Sequence, residues 1–180
     1  MGYTTDFEGS FKLNKPLTVA QKAYLEKFCE TRRMKRDAAI TAKRPDLVRE
    51  AVGLPVGSEG EFFVGAGGDF GQEGMGCFGG GDADALGIIE SNCPPLTQPS
   101  LWCHWTASES GEEIIWDGGE KFYDYVEWLR YIIRNFLIPW GLVLNGDVEY
   151  FGEDRDDRGI IRVKDNVVRQ TVARIVYDNE

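Results

Sequence analysis

The alternation of apolar and polar residues along the chain predicts two helices and several short strands. Residues 3–13 alternate in part and read as a strand. Thr18 followed by Gln21 is typical of a capping box, in which each residue satisfies a free backbone N–H group at the start of a helix. The apolar spacing after it predicts a helix that ends at about Arg32.

A second and stronger helical pattern runs from Glu120 to about Phe136, with apolar residues on one side and charged residues on the other. Pro139 and the Trp140-Gly141 pair after it would end this helix, because proline cannot continue one. The residues that we expect in the core are Tyr125, Val126, Leu129, Ile132 and Ile133.

Short strands are predicted on both sides of this second helix. Residues 100–106 and 112–116 would flank a turn at 108–111, and the C-terminal part reads as a meander. Its strands are predicted at 142–144, 147–151, 160–163 and 167–176, with turns at Asn145-Gly146 and Asp165-Asn166. This order predicts an α+β fold: an antiparallel sheet with two helices on one face, in a ferredoxin-like order with extra C-terminal strands.

The chain length favours a single domain over residues 1–180, with an irregular Gly-rich acidic insertion at about 45–100. Only residues 61–64 look strand-like there before the glycines. Nine of the seventeen residues from Gly65 to Gly81 are glycine, which is typical of a mobile loop because glycine loses much backbone entropy on ordering. Residues 74–79 match G-x-G-x-x-G, but no strand precedes them and no helix follows, so a chance match is favoured over a dinucleotide site.

Charge is distributed unevenly along the chain. From Ala51 to Glu120 there is no Lys or Arg and there are twelve carboxylates, which accounts for all of the net charge of −10. Such a segment repels phosphate backbones and attracts cations or basic protein surfaces. We therefore expect a protein partner with a basic surface and no direct binding to nucleic acid.

Other chemistry is sparse. The four cysteines lie far apart, His104 is the only histidine, and no zinc spacing is present, so we expect no metal and no cofactor. The charge run at residues 153–159 partly overlays a calcium loop, but Arg158 stands where an oxygen ligand belongs, which favours a solvated hairpin loop. No apolar run is long enough to cross a membrane, and the start of the chain lacks the features of a secretion signal.

Several runs together resemble an uncharacterised family of small proteins from bacteriophages and bacteria. The runs are Met1-Gly2-Tyr3-Thr4-Thr5, Leu101-Trp102-Cys103, Trp116 to Tyr125, Pro139-Trp140-Gly141, Leu144-Asn145-Gly146 and Gly152-Glu153-Asp154. The resemblance implies a bacterial cytoplasmic setting. That family has no established activity, so it implies no catalytic residue.

These observations favour a non-catalytic acidic binding protein, such as a phage accessory or anti-defence protein that engages a basic surface of a host factor. The alternative hypothesis is a small-ligand or nucleotide-binding module, or an enzyme, that uses the region from Trp102 to Trp116. Oligomerisation stays open. The candidate partner-binding residues are Glu109, Glu112, Glu113, Asp117, Trp102 and Trp116.

Overall fold

A computed structural model describes residues 2–65 and 87–173 of the chain. Four helices and nine strands lie in these ranges. In chain order they are β1 (Thr5–Gly9), β2 (Phe11–Leu13), α1 (Val19–Glu30), β3 (Lys35–Arg36), α2 (Ala38–Thr41), α3 (Leu47–Ala51), β4 (Ile88–Glu90), β5 (Trp105–Ala107), β6 (Glu113–Trp116), α4 (Tyr125–Ile132), β7 (Leu144–Gly152), β8 (Arg158–Lys164) and β9 (Val167–Val172). A π-helical turn, Ile133–Leu137, continues α4. The predicted α+β class with an antiparallel sheet is confirmed.

Contacts divide the described residues into two units. The first unit contains residues 2–16 and 108–173, and the second contains residues 17–65 and 87–107. That residues 1–180 form a single domain stays a prediction.

The first unit is built on an antiparallel sheet in which β7 is the central strand. Its strand order is β6-β2-β7-β8-β9, and β1 also pairs with β7. The nine-residue β7 pairs with β1 through residues 148–152 and with β2 through residues 144–145. One strand therefore carries two partners on the same edge, one after the other.

The inner face of this sheet forms the core of the first unit with α4. Val148 and Tyr150 of β7, Ile161 of β8 and Phe7 of β1 are all buried. Helix α4 contributes Val126, Leu129 and Ile132, and the π-helical turn contributes Ile133, all of which are buried as predicted. Tyr125 differs from the prediction because it is only half-buried at the edge of this core.

The second helical pattern starts later than predicted. Lys121 and Asp124 have backbone φ angles of 58° and 54°, which interrupt a right-handed helix, so α4 begins at Tyr125 rather than Glu120. Phe122 is buried in this preceding segment and its ring lies 5.8 Å from that of Phe7. The apolar spacing in 120–124 therefore reflects burial of a loop residue and not a helix turn.

The predicted turn at Asn145-Gly146 is wrong, because both residues lie inside β7. Gly146 has a φ of 144°, and a Cβ atom there would lie 2.8 Å from the backbone oxygen of Ser10. Glycine is needed at this point because β7 passes close to the chain between β1 and β2. The predicted turn at Asp165-Asn166 is confirmed, with φ angles of 49° and 67° between β8 and β9.

The second unit contains the predicted first helix, whose capping box at Thr18 and Gln21 is present. Much of the chain after it is irregular and is held by buried charged groups. The Arg33 side chain donates to the backbone oxygen of Phe63 at 2.6 Å, and the Asp46 carboxylate accepts from Arg49 at 3.0 Å. The Arg33 and Asp46 side chains are almost completely buried.

Three local predictions in the second unit need correction. Residues 61–64 start in a turn instead of a strand, because the Glu61 carboxylate folds back to accept the Glu59 backbone N–H group. The strand predicted at 100–106 is shorter and begins later in the structure, at Trp105–Ala107. The region at 45–100 contains α3 and β4 rather than only irregular chain, since Asp46 caps α3 by accepting from the backbone of Arg49. The predicted mobile loop at 65–81 and the G-x-G-x-x-G match lie outside the described residues, apart from Gly65.

Replacing Leu129 with alanine should lower the free energy of unfolding by roughly 2–5 kcal/mol, because Leu129 is fully buried and a cavity would remain. Urea unfolding followed by circular dichroism measures this change. Leu96→Ala is the matched control, since Leu96 is 87% exposed and its truncation should change stability by less than about 0.5 kcal/mol. A loss below about 1 kcal/mol for Leu129→Ala would contradict the packing of α4.

Candidate protein-binding surface

The outer face of the sheet, opposite the core, is open and charged. Alternation along β1 and β7 turns Asp6, Glu8, Asp147 and Glu149 to this face while Phe7, Val148 and Tyr150 turn inward. The four carboxylates are exposed. The outer face is therefore the place where exposed charge from distant parts of the chain is brought together.

One side of the outer face carries three carboxylates, Asp6, Glu8 and Glu149, which we name the acidic half. Glu8 and Glu149 are direct cross-strand partners, so their Cβ atoms lie about 5 Å apart. Within residues 2–65 and 87–173, none of the three carboxylates makes a hydrogen bond or an ion pair. Like charges directly opposite each other destabilise a sheet, so this pair opposes folding.

The other side of the outer face carries three arginines, Arg158, Arg162 and Arg169, which we name the basic half. Arg162 and Arg169 are direct cross-strand partners on β8 and β9. Arg162 also donates from Nε and Nη2 to the carboxylate of Asp147, at 2.8 Å and 2.6 Å. These hydrogen bonds hold the pKa of Asp147 below its usual range and raise the pKa of Arg162. Asp147 is thus neutralised, unlike the acidic half.

The predicted site residues Glu109 and Glu112 lie in the hairpin turn before β6, and Glu113 is the first residue of β6. Glu109 and Glu112 are exposed, as a solvated turn requires. Glu113 is only partly exposed, because it pairs with Lys12 across the sheet and its carboxylate accepts from the Ser10 hydroxyl at 2.9 Å. Two of the three carboxylates are therefore available to a partner, and the third is tied to the sheet.

Trp116 and Asp117 have structural contacts at the end of β6. The Trp116 ring packs edge-to-face on Phe7 with centroids 5.4 Å apart, and its indole N–H donates to the backbone oxygen of Gly119. The Asp117 carboxylate accepts from the Gly119 backbone at 2.7 Å. Trp116 faces the core side of the sheet, so it is not part of the outer face.

Trp102 belongs to the second unit. Its ring stacks on His104 with centroids 6.4 Å apart, and the Arg32 guanidinium lies 6.0 Å from the ring centroid. Arg32 itself donates to Ser91 and Asn92. These contacts describe a small surface cluster, and the use of Trp102 by a ligand stays a prediction.

Two carboxylates of the acidic middle of the sequence, Glu59 and Glu61, are used in contacts within the second unit. Glu59 binds Lys35 at 2.6 Å and accepts from the Leu96 backbone, and the Lys35 hydrogen bond lowers the pKa of Glu59. Glu61 is buried by its contacts with the loop around it. Four of the twelve carboxylates, Asp69, Glu73, Asp82 and Asp84, lie outside the described residues.

A group of tyrosines ties the strand ends together on the inner side. The Tyr3 hydroxyl donates to Asp157 at 2.7 Å, and the Tyr125 hydroxyl accepts from Gln170 at 3.1 Å. Burial raises the pKa of Tyr125 to about 12, and the nearby Tyr150 and Asp157 act in the same direction. The Tyr125 hydroxyl therefore stays protonated at neutral pH, which fits a role in packing more than a role as a base.

A cleft of about 260 Å³ lies beside the hairpin, lined by Lys12, Lys15, Glu112 and Glu113 among others. It is smaller than most small-molecule sites and carries both signs of charge. In the part of the chain that the structure describes, no three His, Cys, Asp or Glu residues are grouped so as to hold a metal ion. No helix among the described residues is long and apolar enough to cross a membrane.

No protein-family model matches the chain, and neither a characterised protein nor a solved structure shows significant similarity to it. The support for a function therefore comes from the arrangement of the side chains.

Sequence patterns pointed to the hairpin carboxylates but missed Asp6, Glu8 and Glu149. These three residues lie in segments without a strong charge bias, and Glu8 and Glu149 meet only through the pairing of β1 with β7. In the sequence, Asp6 and Glu8 lie on either side of the apolar Phe7, which is the alternation typical of a strand. It could have shown that both carboxylates share one face of a strand.

Glu8→Lys should stabilise the protein, because it replaces a like-charge pair with an opposite-charge pair across β1 and β7. The expected gain in the free energy of unfolding is about 0.2–1 kcal/mol at low salt, and it should shrink as salt is added. Chemical unfolding at two salt concentrations measures it, with Glu120→Lys as the control at an exposed position away from the sheet. No gain, or an equal gain in the control, would show that Glu8 and Glu149 do not repel each other.

Proposed function

We propose that the chain is a non-catalytic binding protein whose acidic half docks on a basic surface of a protein partner. The observation that carries this proposal is the Glu8–Glu149 pair, which is exposed and makes no hydrogen bond or ion pair among the described residues. Two residues before Glu149 on β7, the same outer face carries a neutralised carboxylate, since Asp147 is bound by Arg162.

The energetics favour a cationic partner for this pair. A Lys or Arg from another protein would remove the repulsion between Glu8 and Glu149 and would add its own attraction to both carboxylates. Exposed negative charge also speeds the encounter with a basic surface and repels phosphate backbones. Glu109 and Glu112 add two exposed carboxylates in the hairpin of the same unit.

The resemblance to phage and bacterial proteins makes a host factor in the bacterial cytoplasm the expected partner. If the host factor uses this basic surface for its own function, binding of the acidic half would block that surface. An accessory or anti-defence role would follow.

The acidic-half variant is the double substitution Glu8→Gln and Glu149→Gln. Its matched control is the double substitution Glu30→Gln and Glu120→Gln, which removes the same charge from exposed positions elsewhere. Each protein is used to capture host proteins, and association rates with a captured partner are measured at low and high salt. The acidic-half variant should associate about 2–10 times more slowly than the wild type at low salt, and the difference should fade at high salt. The control should behave as the wild type.

Two results would contradict the proposal. One is that the acidic-half variant captures the same proteins in the same amounts as the wild type. The other is an association rate that does not respond to salt or to the loss of Glu8 and Glu149. Either result would mean that the acidic half does not engage a partner.

A further inference from the structure

The outer face carries opposite charges on its two sides and apolar side chains between them. The acidic half lies on β1 and β7, and the basic half lies on β8 and β9. Phe151 of β7 and Ile160 of β8 lie between the halves and are partly exposed. A patch with an apolar centre and a charged surround is the usual anatomy of a protein interface.

We propose that a second copy of this chain packs on the outer face, with the acidic half of each copy on the basic half of the other. This inference rests on the proposed function, because it names one basic surface that the acidic half engages. The face is complementary in charge to itself, which is the property that a two-fold symmetric interface needs.

The charge pattern selects one orientation of the two-fold axis. Strands lie about 4.8 Å apart, so β1 and β9 are separated by three spacings, or roughly 14 Å. An axis parallel to the strands and between β7 and β8 places β1 and β7 of one copy over β9 and β8 of the other. An axis across the strands would place like charges over like charges, and repulsion disfavours it.

This packing would relieve both like-charge pairs of the face at once. Position along the strands is preserved by this axis, so Glu8 and Glu149 would lie over Thr171 and Ile160 of the second copy. The arginines of the basic half lie two residues, or about 7 Å, further along the strands, within reach of their long side chains. Phe151 and Ile160 would lie near the axis and lose water. The face is small and its attraction is mainly electrostatic, so the association should be weak and sensitive to salt.

The experiment is sedimentation equilibrium from about 1 μM to about 1 mM protein, a range suited to weak association. The acid-reversed variant carries both Glu8→Lys and Glu149→Lys. The base-reversed variant carries both Arg158→Glu and Arg169→Glu. Arg162 is left in place because it binds Asp147. Each variant alone should be monomeric. A mixture of the two should form a heterodimer, because one face is then mainly basic and the other mainly acidic.

The control variant, Glu30→Lys with Glu120→Lys, changes net charge as much as the acid-reversed variant and should self-associate like the wild type. Circular dichroism checks that each variant is folded. If a reversed variant does not fold, Glu8→Gln with Glu149→Gln replaces it, and its self-association should be about tenfold weaker than that of the wild type. A wild type that stays monomeric at every concentration, or folded reversed variants that do not combine, would overturn the proposal.

These outcomes separate the inference from the proposed function. A monomeric wild type whose capture of a basic partner still depends on Glu8 and Glu149 would overturn the dimer alone. A charge-dependent dimer that captures no other protein through these residues would support the dimer and overturn the heterologous partner.

Discussion

The pairing of β7 with three neighbouring strands is the constraint on which the first unit depends. Its residues alternate between the core and the outer face, so the same register that buries Val148 and Tyr150 also exposes Asp147 and Glu149. A slip of one residue would exchange the two sets and bury the carboxylates. The core and the charged surface therefore have a common origin in one strand.

The magnitudes explain why the fold tolerates unneutralised charge on this strand. Burial of one large apolar side chain contributes about 1.5–3 kcal/mol, whereas a like-charge pair across two strands costs about 0.2–1 kcal/mol. Tyr150, Val148 and Phe7 are all buried on the inner face, directly behind the Glu8–Glu149 pair. The inner face can thus hold the register while the outer face keeps an arrangement that opposes folding but favours a cationic partner.

Local patterns in the sequence predicted those elements that depend on nearby residues. The first helix begins where the Thr18–Gln21 pattern places it, and the core residues of α4 follow from their helical spacing. Predictions failed where distant contacts decide the outcome. Asn145-Gly146 is typical of a turn, but Asn145 pairs with Lys12 of β2 and Gly146 pairs with Val163 of β8, which keeps both residues in a strand.

The candidate surface was only partly predictable for the same reason. The excess of carboxylates between residues 51 and 120 is plain in the sequence, yet Glu59 and Glu61 are used to fold a loop and Glu113 is tied to the sheet. The carboxylates that carry the proposal come from segments that are far apart in the chain. Their meeting depends on strand pairing, which element order alone does not determine.

The most direct test of the acidic half as a binding surface is a map of backbone amide shifts as a captured basic partner is added to the isotope-labelled protein. The account predicts the largest changes in β1 and β7, around Asp6, Glu8 and Glu149. Changes confined to the hairpin around Glu109 and Glu112, or to the second unit around Trp102, with β1 and β7 unaffected, would contradict it.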